Sequence, residues 1–224
     1  MTVQGNALIL LFMNDGSFIR KGGAMARVKS QTKGQEIIQA AMELFAEKGF
    51  FYTNVKEIAE RANVGVGTVY IYFDNKDNIL IELFIAFLDR VIRDIQTILD
   101  TQLHPLEKFK RILRTVAEIL SENMDMARVF LVELRQTTEA LSYLAPKLEK
   151  EYNFLIKKLL QEAKDQGYVR QDINVHIVSI ASLGLIEALL FDWVTNKYSK
   201  EKLFSMFDQA IEYFVFGFEG REHE

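Results

Sequence analysis

Few side chains in this sequence could do chemistry on a substrate. The 3 histidines, His104, His176 and His223, stand far apart, and there is no cysteine. Neighbouring metal ligands, a thiolate nucleophile and a disulfide framework are therefore not on offer. No glycine-rich phosphate loop and no nucleophile elbow occurs. No catalytic residue, metal or cofactor is expected. Residues suited to recognition lie together instead, in Val64-Gly65-Val66-Gly67-Thr68-Val69-Tyr70-Ile71-Tyr72-Phe73-Asp74-Asn75-Lys76. Gly67 lets a backbone approach a phosphate. Thr68 can bond a phosphate or a base edge, Ile71 suits a thymine methyl, and the Tyr72 hydroxyl can donate to a phosphate oxygen. That is the chemistry of holding double-stranded DNA.

By propensity, Val69 to Phe73 reads as a strand, yet helical patterns lie on both sides. On a helical wheel Val66, Val69, Tyr70 and Phe73 fall within about 100° and read as a core-facing stripe. Gly67, Thr68, Ile71 and Tyr72 take the other side. Lys76 follows the expected cap Asn75. A cation in a first helical turn is unfavourable by about 0.3–1 kcal/mol, and a bound phosphate would reverse that sign. A salt bridge to Asp74 or Asp77 is the alternative. The net charge of -4 gives no global attraction to nucleic acid, so a DNA surface must be local. Arg27, Lys29 and Lys33, with no acid between Met25 and Gln35, read as a basic arm able to reach phosphates or the minor groove. A merely solvated tail is the alternative.

The elements that position these residues are helical almost throughout. Ile37, Ile38, Ala41, Leu44 and Phe45 recur at helical spacing, and Gly49 is a stop. Asn54 and Glu57 form the pattern of a capping box, opening a helix from Val55 to Ala62, after which Asn63 suits a left-handed turn position. A long helix is expected over Lys76–Leu99, about 36 Å at 1.5 Å per residue. His104-Pro105 breaks the chain before a helix whose face is Phe109, Ile112, Leu113, Val116 and Leu120. Further helices are expected from about Ala127 to Arg135, from Pro146 to Gly167, from a cap at Asp172 through Trp193 and Val194, and from a cap at Ser199. In the last, Leu203, Phe207, Ala210, Ile211 and Phe214 point inward. Lys108, Lys110, Arg111 and Arg114 read most simply as a solvated charged face.

The fold class is therefore all-α, with an N-terminal three-helix helix-turn-helix domain and a larger helical domain. Residues 1–24 read separately. Ala7 to Met13 is apolar but shorter than the roughly 18 residues of a membrane span, and its flanks do not suit a signal peptide. Lys21-Gly22-Gly23 can be encoded by a purine-rich ribosome-binding sequence just before Met25. The reading is a start at Met25 and an upstream leader at 1–24; a disordered tail is the alternative. The expected division is 25–76 for DNA binding and 77–224 for the rest.

The sequence resembles the TetR family of transcriptional regulators. The resemblance is carried by Ile58-Ala59, Ala62-Asn63-Val64-Gly65, Gly67-Thr68-Val69-Tyr70-Ile71-Tyr72-Phe73 and Lys76-Asp77-Asn78-Ile79-Leu80. Asn63 replaces the family's turn glycine, Gly65 its serine cap, and Val66 a position often polar or basic there. The resemblance implies DNA contacts at Thr53, Gly67, Thr68, Tyr70, Tyr72 and Lys76. It implies a bacterial cytoplasmic protein with no membrane partner, dimerising through its last two helices and binding a small effector in the larger domain. Ser179, Ala181, Ser182, Gly184 and Ala188 would allow close helix approach, with Leu185 and Phe191 adding apolar area; a monomer core is the alternative.

Val132-Glu133-Leu134-Arg135-Gln136-Thr137, the helix after Pro146 and Asp192-Trp193-Val194 look like the TetR-family regulators of fatty-acid degradation. That resemblance implies a long-chain acyl-CoA effector. Phe84, Phe87, Leu88, Phe130, Leu134 and Trp193 would line the acyl tunnel, and Arg111, Arg114 and Arg135 would meet CoA phosphates. The alternative is another hydrophobic or drug-like ligand with control of efflux. More distant readings are a helical enzyme or an interaction module without DNA binding.

Overall fold

The computed structural model describes residues 24–122, 124–132 and 138–218, with side chains from residue 32 onward except 138–141. The expected leader, and Leu134 and Arg135, lie outside the described residues, as do the side chains of Arg27 and Lys29. The helices are α1 (Ala24–Lys48), α2 (Val55–Arg61), α3 (Val66–Tyr72), α4 (Lys76–Leu99), α5 (Pro105–Glu122), α6 (Met124–Val132), α7 (Thr138–Leu148), α8 (Phe154–Asp165), α9 (Val175–Asn196) and α10 (Lys200–Phe216).

Two compact units emerge: residues up to Arg90 with Arg128–Leu144, and Val91–Ala127 with Ala145 onward. The compact division thus falls inside α4, past the boundary expected at residues 76 and 77.

In the first unit, α1 buries the stripe read from sequence, Ile37, Ile38, Ala41, Leu44 and Phe45. The basic segment expected as an arm is continuous with this helix, which begins at Ala24. Gly49, at φ 88°, ends it in the left-handed region that glycine enters at little cost. Asn54 and Glu57 close the capping box reciprocally, at 3.0 Å and 2.9 Å. Arg61 binds Glu47 through both guanidinium nitrogens, at 3.0 Å and 2.9 Å, and reaches Glu43 at 3.2 Å, tying α2 across α1. Asn63 takes φ 53°, and its neighbour Val64 donates to Ala59 O at 2.9 Å, which turns the chain into α3. Asn75 caps α4 by accepting from the Asn78 amide at 2.7 Å.

In the second unit, α5 packs on α8, α9 and α10, burying Phe109, Ile112, Leu113, Val116 and Leu120. Two expectations fail here. Pro146 lies inside α7 rather than at a helix start, and the helix continues through a π-helical turn at Glu149–Asn153 into α8. The wider turn places Tyr152 and Asn153 both in the core. Ser179 of α9 donates to Asn153 Oδ1 at 3.0 Å, giving the wide turn a buried polar partner. The α9 cap is Asn174, whose Oδ1 accepts from the His176 and Ile177 amides at 3.0 Å and 3.3 Å. Asp172 is drawn instead to Arg170, at 3.2 Å. By length and composition α9 could cross a membrane. In this fold one face of it, with Val178, Ser182, Ile186, Leu190 and Trp193, is buried.

Candidate nucleic-acid interface

Gly65 begins α3 without a side-chain cap, its carbonyl accepting from the Thr68 amide at 2.8 Å. Val69 and Phe73 are buried and anchor the helix, each worth about 1.5–3 kcal/mol if fully transferred from water. The rest of the expected inward stripe is outside: Val66 is exposed and Tyr70 is 54% exposed. Phe73 explains the error. It has left the helix, at φ -136° and ψ 130°, so its inward direction comes from the chain's exit and not from the wheel. With Phe73 removed from the wheel, the exposed face runs through Val66, Gly67, Tyr70 and Ile71. Ile71 stands out at 80% exposure. Thr68 and Tyr72 are half-buried at its edge.

Gly67 has no internal reason to be glycine. A Cβ built there meets nothing within 4 Å, and the residue is not among those with positive φ. An isoleucine and a tyrosine turned to solvent beside a side-chain-free backbone leave this face adapted to something outside the chain.

Two expected contacts have internal duties. Thr53 is buried, its hydroxyl donating to Gly49 O at 2.9 Å and its amide to Phe50 O at 3.2 Å. That hydroxyl holds the α1–α2 turn in place of facing outward. Lys76 reaches back to the α1–α2 turn. Its ammonium donates to Phe50 O at 2.5 Å and Thr53 O at 2.7 Å and lies 4.2 Å from the Phe50 ring centroid. Carbonyl oxygens offset the unfavourable helix-terminal position, which local sequence could not reveal. Lys33 is exposed on α1. Lys56 was missed. It is an exposed cation in the first turn of α2, with Glu60 3.9 Å away. The dipole argument that singled out Lys76 also applies to it.

The candidate effector residues divide between the units. In the first, Phe84, Phe87 and Leu88 are buried, and the Phe130 ring lies 5.9 Å from Phe84 and 5.3 Å from Phe87. In the second, Trp193 is buried, its indole N–H donating to Tyr198 O at 2.8 Å to close the α9–α10 turn. Of the four α5 cations read as a solvated face, Lys110 and Arg114 form ion pairs with α10, while Lys108 donates to Leu99 O at 2.8 Å. Lys110 meets Glu107 at 3.3 Å and Glu212 at 3.0 Å, and Arg114 meets Glu118 at 3.1 Å and also Asp208. Burial lowers the Lys110 pKa, but these two acids more than offset it, and the net shift is upward. Arg111 is exposed on the rim of the same groove, of about 360 Å³. Among the described residues no group of acids and histidines is placed to hold a metal ion.

Residues 37–83, which hold α2, α3 and the start of α4, match the bacterial regulatory proteins of the tetR family. Residues 84–217 match the C-terminal region of YsiA-like proteins. The chain belongs to the tetR family of regulators. Among its relatives is a fatty acid metabolism regulator protein of Bacillus subtilis, 28% identical over 84% of this chain and 97% of that protein. The transcriptional repressor KstR2 of Mycobacterium tuberculosis is 25% identical over 69% of this chain and 78% of its own length. The crystal structure of FadR from Bacillus subtilis in complex with stearoyl-CoA superposes with a TM-score of 0.72, at 28% identity, covering 81% of this chain and 97% of that one. Within the family frame α2 and α3 are the helix-turn-helix pair, with α3 its second helix.

Proposed function

We propose that the protein is a homodimeric transcriptional repressor that holds a palindromic operator through α3 and releases it on binding a long-chain acyl-CoA, so controlling fatty-acid degradation genes. The observation that carries the DNA reading is the outward face of α3: Ile71 and Tyr70 exposed beside a glycine that nothing inside the chain requires. Thr68 and Tyr72 at its edge, and the exposed cations Lys33 and Lys56, are the phosphate contacts of this reading. The effector reading rests on the relative solved with stearoyl-CoA and on the clustered rings of Phe84, Phe87 and Phe130. Of the α5 cations, Arg111 is the exposed candidate for a phosphate, since Lys108 donates to Leu99 O and Lys110 and Arg114 pair with acids.

Dimerisation is supported by α9. Ile177, Ile180, Ala181, Gly184, Ala188 and Phe191 form an exposed apolar stripe on one face, about 21 Å long at 1.5 Å per residue. Ser179 and Ser182, grouped with them from sequence, point into the core instead. Two-fold pairing would set the recognition helices about 34–36 Å apart. An effector that prefers another separation must weaken DNA binding, and DNA must weaken effector binding by the same factor.

The test is to select duplexes from a random pool with the full-length protein and titrate the resulting complex. The expected operator is palindromic, and stearoyl-CoA lowers its affinity at least tenfold where CoA alone and stearate alone do not. Unchanged affinity with stearoyl-CoA would remove the effector reading and leave the repressor. No preference over random DNA would remove the repressor.

A further inference from the structure

The α1–α2 turn carries an aromatic pair that neither the core nor the recognition helix accounts for. Phe51 is 62% exposed and Tyr52 82%, at the tip of the turn. The turn is not loose. Its backbone is fixed by the Thr53 amide on Phe50 O and the Thr53 hydroxyl on Gly49 O, at 3.2 Å and 2.9 Å. The Lys76 ammonium clamps it from the start of α4 through Phe50 O and Thr53 O. Phe50, buried in the turn, packs on Phe45 with ring centroids 5.2 Å apart, and the Phe51 ring stands edge-on to it at 5.6 Å and 81°. The Tyr52 hydroxyl makes no hydrogen bond among the described residues.

We infer that Tyr52, supported by Phe51, is a DNA contact on the sugar-phosphate backbone beside the groove entered by α3. This rests on the repressor reading and extends its interface. Three features point to that partner. The turn leads directly into the capped start of α2, the helix that crosses the backbone in a helix-turn-helix. Through Lys76 it is also tied to the residues that follow α3, so the two surfaces move together. Lys76 further holds a fixed positive charge against the turn's own carbonyls, which favours an anion at the tip. A rigid tyrosine adds contact area at low entropy cost, its ring against a deoxyribose and its O–H donating to a phosphate oxygen. In this account Lys76 acts by holding the turn and its charge in place.

The experiment compares the parent protein with Tyr52→Ala, Tyr52→Phe and Ile71→Ala on the selected duplex, by anisotropy titration and hydroxyl-radical footprinting. Tyr52→Ala should weaken binding about tenfold and Tyr52→Phe about threefold. Tyr52→Ala should lose protection at the sugars flanking each half-site, and Tyr52→Phe, which keeps the ring, should retain it. The slope of affinity against salt should not change, because tyrosine neutralises no phosphate. Affinities within twofold of the parent and an unchanged footprint for both Tyr52 variants would overturn the inference. If Ile71→Ala collapses binding in that case, the repressor reading survives; if Ile71→Ala is also silent, that reading fails first. Should Tyr52→Ala lower the melting temperature, Tyr52→Phe and the footprint decide.

Discussion

Two of the apolar surfaces that the described residues turn to solvent, on α3 and on α9, are built from different residues. The face of α3 is short and mixed: Ile71 and Val66 for apolar contact, Tyr70 for a hydroxyl, Gly67 for close approach. The face of α9 is longer, aliphatic and small, with Gly184 and Ala188 between Ile177, Ile180 and Phe191. A surface that must meet base edges and phosphates keeps hydrogen-bonding groups among its apolar ones. A surface that pairs with its own copy, the role proposed for α9, needs none, and gains from small residues that let helices pack closely. Exposure alone would have grouped the two, and composition separates them.

The contrast breaks most visibly at Gly184. A Cβ there meets nothing within 4 Å, so the protomer has room for a larger side chain. Gly184→Arg should keep the helical circular-dichroism signal yet run as a monomer in light scattering. Operator affinity should fall about a hundredfold or more, because the second half-site no longer binds from high effective concentration. A dimer of normal affinity would show that α9 is not the interface. Ile71→Asp is the matching change on α3. It should leave the dimer intact and shift stability by no more than about 0.5 kcal/mol, since the residue is largely exposed. It should weaken operator binding about tenfold or more, through the lost thymine-methyl contact and the carboxylate set against the DNA. A large fall in melting temperature would mean that Ile71 belongs to the core.

What the sequence made legible was local. The Asn54–Glu57 box, the positive φ at Gly49 and Asn63, and the caps Asn75 and Ser199 each depend on residues three or four apart, and each is present. What it did not make legible mostly involves partners distant in sequence or a departure from the regular helix. Lys76 finds carbonyls 26 and 23 residues away. Ser179 turns inward because Asn153 waits in a π-helical turn 26 residues earlier. Tyr70 turns outward because Phe73 obeys the exit of the chain. Lys110 and Arg114 are paired by acids on α10, Glu212 lying 102 residues beyond Lys110, which no charge count along α5 could predict. At the candidate interface, residue types were readable, but the division into anchors, staples and contacts was not.

The smallest predicted effect is a change in pH response, and it belongs to the scaffold that aims α3. Hydrogen bonding from Arg61, with its charge, holds the Glu47 carboxyl below its ordinary pKa of 4.5. A carboxyl whose folded pKa is depressed stabilises the fold above its unfolded pKa and loses that contribution as pH falls through the folded value. The stability supplied by the Arg61 bridge should therefore be complete at neutral pH and decline below about pH 4.5. Because Glu47 is largely exposed, the contribution is about 1 kcal/mol or less. Arg61→Gln should lower urea stability by that amount at pH 7 and by less at pH 3, so the two unfolding curves converge on acidification. Parallel curves at both pH values would mean that Arg61 stabilises α2 by packing of its stem against α1 and not by its charge. In that case the orientation of α3 would depend on packing and not on this ion pair.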